Sequence, residues 1–345
     1  MKTLLTAVLL LAAFGCNKKA EVSQTIDPAT LKMFAPLPSE VLPPSGSLSA
    51  QQIDLGRMLF YETRLSTDQK ISCNSCHLLD KYGVDGEPTS GGPKGQKGNR
   101  NSQTVYNAAG QVAQFWDGRA ATVEEQAKGP VMNPVEMGMP NEKVVVVVLK
   151  SMPEYVQAFK ASFPSEKDPV TFNNMATAIG AFERKLLTPS RWDKFLQGDA
   201  AALTPAEKEG FNTFISAGCQ SCHAGARVGG TMYQKLGMTK PFPDESDEGR
   251  FQVTKNEGDK MVFKVPSLRN IEKTGPYFHN GKVGTLTEAV QQMAEYEAGK
   301  KLTDTQIQSI VTWLKSLTGD LPLDYIKPPK LPASTQQTPK PEAAG

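Results

Sequence analysis

Two five-residue blocks constrain this chain more than anything else in it: Cys73-Asn74-Ser75-Cys76-His77 and Cys219-Gln220-Ser221-Cys222-His223. Cys-x-x-Cys-His is the attachment signature of c-type haem, with two thioether bonds fixing the porphyrin and the histidine ligating iron from one side. The chain has five cysteines and three histidines; the blocks take all but one of each. Disulfides, thioredoxin-like redox pairs and zinc sites also use paired cysteines. A disulfide between residues so close closes a loop too short to staple much. Zinc wants four ligands, and each block offers three in cramped spacing. The sequence therefore predicts two covalently bound haem c groups.

The N-terminus agrees. Lys2 precedes an apolar run from Leu4 to Phe14, too short to span a bilayer, which reads as an export signal over residues 1–16. Gly15-Cys16 resembles a lipobox, imperfectly because Ala13 stands where Leu is more usual, and lipidation of Cys16 would account for the fifth cysteine. The alternative is plain cleavage with Cys16 discarded. Either way the expected location is periplasmic, with membrane contact only through a lipid on Cys16.

About 330 residues then remain, enough for two domains of ordinary size. The charge is nearly balanced, formally +2, so no basic block points to nucleic acid. Residues 17–47, rich in Pro, Ser and charge, read as a tether, partly packed near Phe34. Residues 321–345 read as a Pro-rich tail, disordered over about its last fifteen residues.

Between tether and tail the pattern is helical. Ser49-x-x-Gln52, Thr204-Pro205-x-Glu207 and Thr303-x-x-Gln306 look like capping boxes. The first two open helices upstream of the two motifs, burying Ile53, Leu55 and Leu59, and Phe211, Phe214 and Ile215. The third opens a helix with Ile307, Ile310, Val311, Leu314 and Leu317 in register and Gly319 as its stop. Phe172 to Leu187 is amphipathic at helical spacing. Val144 to Leu149 is ambiguous, because valine favours strands, but Asn141 as a cap leans it to helix. Helix, motif, loops, helix occurs twice, a coarse duplication. The fold class expected is all-α: two cytochrome-c-like haem domains, 48–188 and 189–320, with long loops around the haems. The glycine-rich stretch 80–110 is too long beside a cofactor to be filler.

Iron with two strong protein ligands carries electrons, whereas iron with an open sixth position binds and cleaves small oxidants. For the second motif Met293 has suitable spacing as sixth ligand; it could equally be a core residue. For the first, no histidine is spare in its half. Met132, Met137, Met139, a neutral Lys94 or no ligand at all remain.

Seven segments carry a family resemblance: Ser72 to His77, Gly83-Val84-Asp85-Gly86, Phe115-Trp116-Asp117-Gly118-Arg119-Ala120, Glu125-Gln126-Ala127-Lys128-Gly129-Pro130, Val135-Glu136-Met137, Gly218 to His223, and Pro276-Tyr277-Phe278-His279-Asn280-Gly281-Lys282. In order and spacing, from about Leu48 to Thr318, the chain resembles the bacterial di-haem cytochrome c peroxidases. The resemblance implies a low-potential, peroxide-reacting first haem and a high-potential second haem ligated by His223 and Met293. It implies Trp116 as electron relay and Glu136 as acid–base catalyst with Gln126 nearby. It implies calcium held by the Asn101 side chain and the carbonyls of Thr274 and Pro276, an oxygen-only set suited to that ion. It implies a homodimer fed by a small cytochrome c or copper protein. On the residues alone, Trp116 could be a packing aromatic, Glu136 a solvated acid, Asn101 an ordinary loop residue, and Arg119 either a site residue or a plain ion pair.

One departure matters. Many family members carry a histidine in the glycine-rich loop that caps the first iron at rest. Here the loop reads Ser90-Gly91-Gly92-Pro93-Lys94-Gly95-Gln96-Lys97-Gly98, with Pro93 at the expected place. The expectation is a first haem uncapped by histidine and reactive without prior reduction. The related MauG-type enzymes also lack the cap, but they put a tyrosine on the second haem, which Met293 argues against. A MauG-like protein-modifying oxidase and a non-enzymatic di-haem electron carrier are the alternatives.

Overall fold

The computed structural model describes residues 25–342. The export signal, Cys16 and the first part of the tether lie outside the described residues. Among those described, twelve α-helices and one two-stranded sheet are present. The helices are α1 (Pro28–Leu31), α2 (Ala50–Phe60), α3 (Cys73–Cys76), α4 (Val123–Met132), α5 (Glu142–Lys150), α6 (Pro153–Ser162), α7 (Phe172–Glu183), α8 (Arg191–Leu196), α9 (Pro205–Ala217), α10 (Phe251–Thr254), α11 (Leu286–Tyr296) and α12 (Asp304–Lys315). The strands β1 (Tyr233–Lys235) and β2 (Val262–Lys264) pair antiparallel, Gln234 opposite Phe263. The chain is helix-rich, as the sequence predicts; the small sheet is the one regular element the helical pattern does not announce.

Local chemistry sets the helix starts. Thr204 and Thr303 form full reciprocal boxes with Glu207 and Gln306. Ser49 caps α2 through the Gln52 N–H, but Gln52 does not reciprocate: its amide donates to the Ser162 carbonyl at 3.3 Å. Asn141 accepts the Val144 N–H at 3.1 Å, and Val145, Val148 and Leu149 go into the core, so the valine run is helix α5. Helix α12 ends at Lys315, four residues short of Gly319.

Two apolar cores form. One packs α2 against α4 to α7, with Leu59, Phe60, Tyr155, Ile179 and Phe182 fully enclosed. The other packs α8, α9 and α12 around Trp192, Phe211 and Trp313. Each is closed by a helix pair crossing at a glycine. A Cβ on Gly56 would lie 1.8 Å from the Ala178 carbonyl oxygen, and one on Gly210 2.1 Å from that of Ser309. Such contacts exclude any larger side chain at those crossings.

The duplication reaches into the loops. Asn107 and Asn270, Phe115 and Phe278, Gly118 and Gly281 share positive φ angles, each pair separated by 163 residues. Asn107 and Asn270 are both wholly buried, and their side-chain amides both donate to the Thr188 hydroxyl, at 2.9 and 2.8 Å. Gln114 bridges Ala120 and Tyr277 bridges Val283, so each half presents a matching tight turn. One turn carries Trp116 and the other His279, and their rings meet edge to face at 6.4 Å.

The first segment packs at Phe34 as expected, whereas the tail departs from its expected disorder. Phe34 is buried against Trp192 and Phe211, and the Leu37 N–H donates to Asp193 at 2.7 Å. Beyond 321 the chain crosses back to the first half. Tyr325 stacks on Phe182 at 5.0 Å, Arg64 donates to Pro332 and Ser334, Gln69 to Pro339, and the Glu342 N–H to Thr67. The expected disorder of the tail therefore does not hold through residue 342. Its prolines supply carbonyls to side chains waiting on the surface, which composition alone does not reveal.

Candidate functional site

The first motif forms α3, whose start is fixed by the Ser72 N–H donating to Ser75 Oγ at 3.0 Å. Cys73 packs against the first core. His77 follows directly, with Nδ1 3.3 Å from the Gly83 carbonyl. That contact orients the ring and leaves Nε2 for a metal. Burial lowers the His77 pKa, so the ring is neutral, as a ligand must be. The second motif turns out of α9 through Gly218, at φ 88°. His223 Nδ1 is buried with no hydrogen-bond partner among the described residues. Burial pushes its pKa down to about 4.

No disulfide joins any of the four motif cysteines among the described residues. Burial raises the pKa of Cys73 and Cys76, and takes that of Cys219 up to about 11. Redox-active pairs need the opposite shift. Among the described residues no three His, Cys, Asp or Glu side chains converge to hold a bare metal ion.

Cys219, Cys222, His223 and Met293 line one cavity of about 530 Å3, walled by Phe214, Leu268, Leu286, Val290, Ile310 and Leu314. An apolar chamber with a thiol pair, a buried neutral imidazole and a facing thioether fits a haem c with sulfur as its second axial ligand. Trp116, Asn101, Thr274, Pro276 and His279 lie on the same wall. Trp116 Nε1 donates to the Asn101 carbonyl at 2.9 Å, and the Trp116 carbonyl accepts the Lys264 N–H at 2.8 Å.

The surroundings of the first motif are polar, with Ser90, Asp85 and Glu136 all acting on Cys76. Glu136 sits in a turn after α4, its N–H donating to the Asn133 carbonyl at 3.0 Å. Its Oε2 is buried with no partner among the described residues. Burial raises the Glu136 pKa, against the smaller pull of Arg119 and Asn133. Glu136 also contributes to the raised pKa of Cys76, behind burial and Asp85, which puts it within electrostatic reach of the first motif. The loop 90–98 folds as a small hairpin, Gly91 bridging Lys97. Gln96 anchors it to the Pro134 carbonyl at 2.7 Å, and a Cβ on Gly92 would lie 2.4 Å from the Val135 carbonyl oxygen. The hairpin thus rests on the turn that carries Glu136, while Lys94 is exposed.

Comparison with known proteins agrees with this geometry. Residues 50–201 match the family model for di-haem cytochrome c peroxidase. The chain is 46% identical over 316 residues, 90% of each chain, to the cytochrome c551 peroxidase of Pseudomonas aeruginosa. It is 47% identical over 294 residues, 85% of this chain and 86% of the other, to the cytochrome c551 peroxidase of Nitrosomonas europaea.

The chain belongs to the di-haem cytochrome c peroxidase family.

A crystal structure of a MauG-like protein associated with microbial copper homeostasis superposes with a TM-score of 0.75 at 28% identity, over 85% of this chain and 97% of that one. Family membership means two covalently bound haem c groups, one for each motif.

Within this di-haem peroxidase framework the remaining site residues fall into place unevenly. Gln126 is half-buried on α4, two turns before the Glu136 turn. Asn101 spends its side-chain N–H groups on the Glu87 and Pro88 carbonyls, at 3.0 and 3.4 Å, which leaves Oδ1 as the atom able to meet a cation. Arg119 ion-pairs with Asp117 at 3.0 Å and lies 3.5 Å over the Phe115 ring, so the plain ion pair is real. Met137 and Met139 are buried in the first core. Sequence reasoning misses Arg100, Asp247 and Lys264. Arg100 and Asp247 pair across 147 residues, and no local pattern marks such a partnership. Lys264 is buried among apolar neighbours with its Nζ on Gln111, and burial takes its pKa down to about 7. Among the described residues no helix is long and apolar enough to cross a membrane.

Proposed function

We propose that this chain is an exported peroxidase that reduces hydrogen peroxide to two waters, consuming two protons and two electrons from a small periplasmic cytochrome c or copper protein. The observation that carries the reading is Glu136: a half-buried carboxyl with one enclosed, unpartnered oxygen, within electrostatic reach of the first haem-attachment motif. The bound haems would supply an open iron for O–O cleavage at the first centre and a one-electron store at the second. His77, its ring oriented by the Gly83 carbonyl, would hold the first haem's iron.

Glu136 takes the proton from the inner peroxide oxygen and returns it to the outer one, which leaves as water. Its enclosure keeps bulk water from competing for that proton. The Asn133–Gly138 turn and the docked hairpin hold the carboxyl in place, and Gln126 and Arg119 flank it. His223 and Met293 would hold the second haem, and Trp116, on the lining of the same cavity, would serve as the relay for its electrons. Asn101 Oδ1 and the carbonyls of Thr274 and Pro276 would hold calcium, an oxygen-only set that would stiffen the cavity lining beside Trp116. A lipid on Cys16 and a homodimeric assembly belong to the same reading.

Pro93 offers iron no donor atom, so with haem bound the first centre would have no cap from this loop in the fully oxidised enzyme. The test is peroxide turnover by oxidised and half-reduced enzyme, side by side. Comparable initial rates support the uncapped site; activity only after reduction refutes it.

A further inference from the structure

Arg100 is buried where the two halves of the molecule meet. Its Nε and Nη2 donate to the two oxygens of Asp247 at 2.6 and 2.7 Å, and Nη1 donates to Asp117 at 2.5 Å. The three side chains are 11%, 11% and 5% exposed, so the fork is shielded from water. Asp117 directly follows Trp116, whereas Asp247 belongs to the second half. The next residue completes a bracket. The Asn101 N–H donates to the His279 carbonyl at 2.7 Å, and the Asn101 carbonyl accepts the Trp116 indole N–H at 2.9 Å. From the far side Arg250 donates to the Asp117 carbonyl at 3.0 Å.

A planar guanidinium bonding a carboxylate through two parallel donors fixes orientation as well as distance. Enclosing such a charge is costly unless its donors are met, and here donors on both edges of the fork are met. Burial works against the Arg100 charge, but the bonds to Asp247 and Asp117 outweigh it and hold the group ionised. Sequence spacing gives these three residues no reason to meet, and none of them touches the cysteine–histidine motifs.

We propose that Arg100 is a positioning residue for electron delivery: it ties Asp117 to Asp247 and so fixes the Trp116 indole against the wall of the second cavity. This rests on the reading above in which Trp116 is the relay. A relay held by one indole hydrogen bond alone would sample several ring positions, and misplacing a group that serves a transfer slows that transfer.

The experiment uses the full holoenzyme. An electron is injected into the low-potential haem by pulse radiolysis and timed as it equilibrates with the other haem, and both midpoint potentials are measured. The expected result for Arg100→Gln is at least a tenfold slower exchange with both potentials unchanged. Asp247→Asn slows exchange less, and Arg100→Lys recovers part of the loss. Wild-type exchange rates in both Arg100→Gln and Asp247→Asn overturn the proposal. So does slower exchange matched by a shifted potential, which would report driving force and not position. If Arg100→Gln yields no folded haem protein, Asp247→Asn and Arg100→Lys decide by the same readings. If the wild-type enzyme itself shows no exchange between haems, the relay is gone, and it is the reading of Trp116 that fails.

Discussion

The two halves of this molecule attach a haem by the same five-residue device and then diverge on the side facing it. The second half offers a largely apolar cavity lined by both His223 and Met293. The first offers a carboxyl with an orphaned oxygen and a polar hairpin docked beside it. The turns that meet between the halves diverge likewise: at matched positions one carries Trp116 and the other His279. The halves share a scaffold, and in the proposed function a few residues beside each motif separate catalysis from electron storage.

That contrast is most exposed at Glu136. Glu136→Gln keeps the shape and removes the proton carrier, so peroxide turnover should fall by about 10²- to 10⁴-fold while both haems stay bound. Turnover within a factor of two of wild type would move the proton chemistry elsewhere. The raised pKa also predicts an acid limb: the carboxylate form is lost as pH falls through a value above the ordinary glutamate range. The pH profile of kcat/KM should show that limb, and Glu136→Gln should flatten it.

Pro93→His tests the contrast from the other direction. A histidine at the tip of the docked hairpin would give the first centre a second strong ligand, and oxidised-state turnover should drop at least tenfold and recover on half-reduction. An unchanged optical spectrum and rate would show that this loop does not reach the iron.

Next in size is the symmetry point. Thr188→Val removes the acceptor shared by the Asn107 and Asn270 amides, two buried donors. Leaving both unpaired should cost about 2–5 kcal/mol, seen as a lower denaturation midpoint for both halves together. Loss confined to one half would argue against a common joint.

An effect of comparable size concerns Glu183, fully enclosed on α7, where burial takes its pKa up to about 8, with Glu124 adding to it. Since the folded-state pKa lies above the unfolded one, its contribution to stability is present below the unfolded value and lost as pH rises towards about 8. Glu183→Gln should therefore flatten the decline in stability between about pH 5 and pH 8, at about 1.4 kcal/mol per unit of pKa displacement. Parallel curves for variant and wild type would mean the group is already ionised.

Much of this was legible in the residues. The motifs announce their cofactor, and capping boxes and apolar spacing give the helices because both are local. The ambiguous valine run resolves through the Asn141 cap. What stayed hidden depends on partners far along the chain. The glycine crossings at Gly56 and Gly210, the Arg100 fork and the paired Asn107 and Asn270 turns have no signature until the halves meet. The C-terminal strap was misread for the same reason: Pro332 and Pro339 look like disordered composition until Arg64 and Gln69 are seen bonding to their carbonyls.

The division of labour can be read directly by electron paramagnetic resonance of the fully oxidised enzyme before and after one equivalent of peroxide. The account predicts one high-spin haem whose signal peroxide removes, beside a low-spin haem with methionine-type features. Two low-spin haems, both indifferent to peroxide until an electron is added, would contradict it.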